Sequence, residues 1–167
     1  MSRPARVDEV NGVAELYALT CPRLIGLLTS IGGSRADAEE VAQDAYVKLL
    51  GRWESVRHYD DPEAWVRRVA IRMLISRLRR AKVARAVLPR LGRRDDAPAA
   101  TDEVELSALL NTLSPAHRAV VVLHYVLDLP VEQIAEDLGV PPGTVKSRLS
   151  RARAALEPML RSGEVGR

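Results

Sequence analysis

At 167 residues the chain has room for one domain or for two small ones, since units of about 70 residues also fold. Apolar residues make up 47% of it, which excludes wholesale disorder, and with no Phe the cores must be built from Leu, Val, Ile and Ala, residues that alongside abundant Arg and Glu favour helix over sheet. The formal net charge is only +3 at a pI of about 9.3, yet the bases are clustered, and a local basic stripe rather than the total is what attracts a polyanion.

The N-terminal "MSRPARVDEVNG" lacks the apolar stretch of a signal peptide, and the longest apolar run, "AVVVL", is far too short to span a membrane. A cytoplasmic protein without membrane insertion is expected. The stretch "VAELYALTCPRLIGLLTSIGG" then reads as a helix stopped by Gly32-Gly33. Its Cys21, among Leu19, Leu24 and Leu27, is a small core residue; a single cysteine excludes an internal disulfide and a multi-cysteine metal site. Ser34 caps the next helix and Asp37 takes the acidic slot of a capping box. That helix, "RADAEEVAQDAYVKLLGRW", sets Ala38, Val41, Ala45 and Leu49 on one face and Glu39, Glu40, Gln43 and Asp44 largely on another. A loop "SVRHYDDPE" follows, and Pro62 opens a third long helix at its first turn.

On this third helix Val66, Ala70, Met73, Leu74 and Leu78 share an apolar arc, while Trp65, Arg68, Arg72, Ser76 and Arg79 recur on the other side. A ring beside guanidinium groups suits nucleic acid with unstacked bases, because the ring takes a base and Arg takes phosphate. The bland reading folds Trp65 into its own domain and leaves the arginines facing water; the absence of any acid from Arg67 to Arg94 weighs against it. Residues 87–103, "VLPRLGRRDDAPAATDE", are a linker by their punctuation. The expected architecture is therefore all-α, with helical domains over 10–86 and 104–161 joined by that linker.

In the second domain Ser114 is an N-cap with Pro115 at the first helical position. "PVEQIAEDLG" gives a helix with Ile134, Ala135 and Leu138 on its apolar face, ended by Gly139, and Val140 plugs the angle to the next helix. There Val145, Leu149, Ala152 and Leu156 form the buried stripe. Facing away are Ser147, Ser150, Arg151 and Ala154, flanked by Lys146, Arg148 and Arg153, with no acid until Glu157. Such a pair is a helix-turn-helix whose second helix enters the major groove. Arg reads guanine edges, Ser contacts bases or phosphates, Lys neutralises backbone, and Thr144 at the helix start can hold a phosphate.

The segment "LSPAHRAVVVLHYVLDLPVEQIAEDLGVPPGTVKSRLSRARAAL" resembles the C-terminal domain of an extracytoplasmic-function (ECF) sigma factor of the sigma-70 family. The likeness rests on Ile134, Ala135, Glu136, Leu138, Gly139, Pro141, Gly143 to Leu149 and Arg151 to Arg153. Upstream, "DAEEVAQDAYVKL" resembles the family's polymerase-binding helix, and "DDPEAWVRRVAIRMLISRLRR" its promoter-melting helix, most like the actinobacterial SigE-like group. The resemblance covers Leu16 to Leu156 in order. It implies a transcription initiation factor with core RNA polymerase and promoter DNA as partners, and an anti-sigma factor as a further one. Glu40, Gln43 and Asp44 would bind the polymerase clamp. An unpaired minus-ten base would be held by the loop Val56 to Asp61, with His58, Tyr59 and Asp61, and by Trp65, Arg68, Arg72 and Arg79. Thr144, Lys146, Ser147, Arg148, Ser150, Arg151 and Arg153 would read the minus-thirty-five duplex.

Two positions depart from the family pattern. Arg72 stands where Asn is usual, which bears on minus-ten preference. Pro130 replaces the usual Ser or Thr, fixing the helix start without a side-chain cap. The linker acids either mimic nucleic acid or solvate a tether. No catalytic set, phosphate loop, cofactor site or metal cluster is visible, and His58, His117 and His124 are scattered, so no enzyme is expected. The competing readings are a self-sufficient helix-turn-helix regulator binding as a dimer, and an adaptor whose basic faces are dispensable.

Overall fold

The computed structural model describes residues 4–87 and 102–164, and every regular element among them is helical. The elements are α1 (Pro4–Gly32), α2 (Arg35–Leu50), α3 (Trp53–Val56), α4 (Pro62–Val87), α5 (Asp102–Asn111), α6 (Pro115–Val121), a π-helical segment (Val122–Val126), α7 (Val131–Leu138) and α8 (Pro142–Glu164). The chain divides into two compact units, Met1–Ser76 and Arg77–Arg167, so the division falls within α4. The linker acids Asp95 and Asp96 lie outside the described residues.

In the first unit α1 starts earlier than the sequence indicates and tolerates Pro22 because its ring sits on the exposed side. Gly33, at φ 77°, turns the chain left-handed, a conformation only glycine adopts freely. Ser34 follows as the expected cap, its hydroxyl accepting from Asp37 N at 3.2 Å. The apolar stripe of α2 is buried as expected, and α2 packs on α1; Leu24, Leu28 and Ile31 of α1 and Val66, Ala70 and Leu74 of α4 are buried in the same unit. Ile71, absent from the expected arc, is also fully buried. Each buried Val, Leu or Ile side chain taken from water contributes about 1.5–3 kcal/mol.

Two local expectations fail. Leu19 does not surround Cys21: the thiol is buried while Leu19 is 75% exposed, 200° further round the helix on average geometry of about 100° per residue. And α2 ends at Leu50, not at Trp53. Gly51 turns the chain, and α3 carries Trp53 onto α1, where a Cβ on Gly12 would stand 2.5 Å from the indole Cζ2. Close approach to this ring is the reason a glycine occupies mid-helix position 12.

A buried polar pair joins α1 to α2. The Thr20 hydroxyl donates to Leu16 O at 2.7 Å, so in its 2.5 Å bond to Tyr46 it accepts and the phenol donates. Burial pushes the Tyr46 phenol above its ordinary value, the bond to Thr20 opposing the shift. Across α1 and α4, Arg23 grips both carboxylate oxygens of Glu63 at 3.0 Å on the surface.

Candidate nucleic-acid interface

The second unit is built to present one helix. Ser114 caps α6 by accepting from His117 N at 3.3 Å, with Pro115 at the first position, as expected. One turn on, the buried Arg118 side chain donates from Nε to Leu110 O at 2.9 Å and from Nη2 to Leu113 O at 3.0 Å. It thereby satisfies one carbonyl in the last turn of α5 and one just beyond it, where a cation also suits the helix dipole. The sequence pattern did not mark this residue as interior, nor the fully buried Asp137, which accepts from Gln133 Nε2 at 3.0 Å.

Beyond α6 the helix widens into the π segment, with Leu127 N bonded to Val122 O, and Asp128 turns the chain at φ 53°. Asp tolerates this left-handed conformation better than most residues. His124 donates from Nδ1 to Leu129 O at 3.1 Å, a boundary role rather than a core one. Pro130 starts α7 without a side-chain cap, its carbonyl accepting from Ile134 N. At the other end Gly139 adopts φ 67°, ψ 38°. Its N–H bonds Glu136 O and the Val140 N–H bonds Ala135 O, the paired closure that ends a helix in a left-handed residue.

From that turn α8 leaves with Val145, Leu149 and Ala152 buried against α6 and α7 and Leu156 half-buried, the stripe read from sequence. Lys146, Ser147, Ser150, Arg151 and Arg153 are exposed; Thr144 and Arg148 are half-buried. Ser147 donates to Thr144 O at 3.0 Å, leaving its hydroxyl oxygen as an acceptor. Burial pulls the Arg148 guanidinium below its ordinary value. Arg153 is engaged elsewhere: its Nε donates to the Tyr125 hydroxyl at 2.5 Å, and its guanidinium lies 5.7 Å from the centre of that ring. His117 is half-buried and pushed below its ordinary value by burial and by the positive Arg148 and Arg151.

In the first unit Glu40, Gln43 and Asp44 are exposed along α2, and the same face continues into Val47, 64% exposed, and Leu50, 43% exposed. Those two apolar residues were missed, although both fall off the buried period. Before α4, His58, Tyr59 and Asp61 are exposed. Val56 is not part of an open loop: it ends α3 with its side chain in the core. Asp61 has a structural duty, its Oδ1 accepting from Ala64 N at 3.0 Å to cap α4, with Pro62 at the first turn. Along α4, Trp65 and Arg68 are half-buried, and Arg72 and Arg79 exposed.

The profile of the family "Sigma-70 region 2" matches residues 16–84, and that of "Sigma-70, region 4" matches residues 103–156. Among relatives, the RNA polymerase sigma-E factor of Streptomyces avermitilis is 34% identical over 132 residues, covering 77% of this chain and 74% of that protein. The ECF RNA polymerase sigma factor SigL of Mycobacterium tuberculosis is 35% identical over 163 residues, covering 91% and 85%. The fold is similar to that of the sigma factor RpoE, solved in complex with the anti-sigma factor NepR from Bartonella quintana, with a TM-score of 0.73 at 24% identity over 89% of this chain and 96% of that one. A basic helix closed onto its partner by Gly139, and both sigma-70 regions in their order along one sequence, lead to one conclusion: the chain belongs to the sigma-70 family of RNA polymerase sigma factors, in its ECF branch.

Proposed function

We propose that this sigma factor works in the cytoplasm, performs no covalent chemistry, and directs core RNA polymerase to promoters whose two elements it reads differently. Among the described residues no helix is long and apolar enough to cross a membrane. The reading is carried by the exposed face of α8, where Lys146, Ser147, Ser150 and Arg151 point away from the buried Val145, Leu149 and Ala152. Such a face fits the major groove, with Arg151 for a guanine edge and Lys146 for backbone. Thr144 and Arg148 flank it, and Arg153 contributes charge while orienting on Tyr125.

Residues 104–161 would thus read the minus-thirty-five element as duplex, and residues 10–86 the minus-ten element as melted strand, with 87–103 between them. Extruding a base costs a few kcal/mol, so the strand needs a stacking surface and cationic support. Tyr59 and Trp65 offer the first, Arg68, Arg72 and Arg79 the second, with His58 beside them; Asp61 acts by capping α4 and setting the loop. Glu40, Gln43 and Asp44 would bind the polymerase, and Val47 and Leu50 give that face an apolar end. An anti-sigma factor is a further partner, supported by the complex with an anti-sigma factor in which a similar fold was solved.

The test is run-off transcription with purified core polymerase on a pool of genomic promoters, with and without the protein. Defined new start sites are expected, revealing both elements. No initiation, together with tight binding of the protein alone to duplex DNA, would support a stand-alone regulator instead.

A further inference from the structure

We propose that Tyr125 is a positioning residue of the duplex-binding surface, holding Arg153 ready for one phosphate of the minus-thirty-five element. The inference rests on the reading of α8 as the duplex-contacting helix. Lys146, Ser150 and Arg153, all exposed, follow at spacings of four and three and so form a row along one border of the open face of α8. When the centre of such a face meets base edges, its borders lie beside the phosphates.

Arg153 ends that row in the grip of an aromatic side chain from another element. Its Nε donates to the Tyr125 hydroxyl at 2.5 Å, and its guanidinium lies 5.7 Å from the centre of the ring. The phenol oxygen accepts this bond and keeps its own proton to donate, while neither Nη is spent on it. Among the described residues no acid pairs with Arg153. Glu157, four residues on and the natural helical partner, is bonded to Arg161 instead. The charge is therefore fixed in place and uncompensated.

Tyr125 is itself braced from behind. Val122 and Leu123 root the π segment in the core, Leu127 N bonds Val122 O across its wide turn, and Tyr125 at the far side is 56% exposed. His124 is tied to Leu129 O at 3.1 Å, and its ring meets that of Tyr125 edge-on, with centres 4.9 Å apart at 79°. Carbonyl, imidazole, phenol and guanidinium thus make one chain of contacts that ends on α8. Such π turns are rare and recur at functional sites. An arginine already held loses less rotamer freedom on binding, and its fork suits a phosphate.

The experiment uses the full chain and a short duplex carrying the minus-thirty-five element found by run-off transcription, followed by fluorescence anisotropy over a salt series. Tyr125→Phe keeps the ring against His124 and removes only the hydroxyl. It should weaken binding roughly three- to tenfold at unchanged melting temperature, with the slope of log affinity against log salt preserved. Arg153→Ala should lower that slope by about 0.9, the loss of one phosphate contact. The double variant should bind like Arg153→Ala, because the tyrosine acts through the arginine. A Tyr125→Phe protein that binds like the wild type, whatever its melting temperature, overturns the proposal, as do losses that add in the double variant or an Arg153→Ala slope equal to the wild type's. Arg151→Ala separates it from the reading beneath it: a loss of about tenfold or more is expected. If Arg151→Ala binds like the wild type, α8 is not the contacting helix and the proposal falls with it; if it weakens while Tyr125→Phe does not, only the positioning role fails.

Discussion

Replacing Arg118 by Ala should destabilise the second unit while sparing the first. The side chain is only 7% exposed, and its Nε and Nη2 bond Leu110 O and Leu113 O at 2.9 and 3.0 Å. Charge-assisted bonds contribute about 1.5–3 kcal/mol each, and a buried carbonyl left unpaired costs about 1–3 kcal/mol. Some of this is returned, because the variant no longer has to strip water from a guanidinium, a penalty visible as the downward push of burial on Arg118. A net loss of about 3 kcal/mol remains. Against roughly 3–9 kcal/mol for a helical unit of about 60 residues, that is a large fraction of the total. The midpoint of thermal unfolding should drop by about 12–24 °C. The chain supplies its own control: both tryptophans, Trp53 and Trp65, lie in the first unit. Tryptophan fluorescence should melt as in the wild type, while far-UV circular dichroism gains an early transition and duplex binding is lost with it. Arg118→Lys, which keeps charge without the fork, should fall between. An unshifted dichroism curve, or fluorescence moving in step with it, would refute the idea that this arginine holds α5 onto the second unit.

Gly12→Ala should destabilise the first unit by about 1–3 kcal/mol despite alanine's better helix propensity, since its Cβ would meet Trp53 at 2.5 Å; a shifted tryptophan emission and an earlier fluorescence melt check this. Tyr46 holds its proton more firmly folded than unfolded, so its contribution is complete below about pH 10 and is lost as pH rises through the folded value. Tyr46→Phe should flatten that alkaline limb while losing about 1 kcal/mol near neutrality with the Thr20 bond, as read by denaturant titration at both ends of the range. Asp44→Arg reverses a charge on the exposed face of α2 and should abolish co-purification with core polymerase at unchanged melting temperature; normal co-purification would remove that face from the polymerase interface.

The helix-turn-helix was legible because every signal there is local. The stripe Val145, Leu149, Ala152 repeats at helical spacing, Gly139 takes the left-handed angle that ends α7, and Ser114-Pro115 opens α6. The same holds for Ser34 at the start of α2. Residues whose role depends on a distant partner were not legible. Arg118 reads as a surface base, and Asp61 as a loop acid open to DNA, until the carbonyl and amide they bond are seen. Likewise Val56 passes for part of a flexible loop until its side chain is found in the core.

The sequence by itself determined the class: helical periods, caps at Ser34 and Ser114, a left-handed stop at Gly139 and a base-rich, acid-free α8, because these depend on contacts within a turn or two of chain. Tertiary structure alone decided which charges are available. It turned Arg118 inward to the end of α5 and tied Arg153 to Tyr125. Burial and electrostatic fields are set by groups far apart in the chain, and no pattern along one helix encodes them.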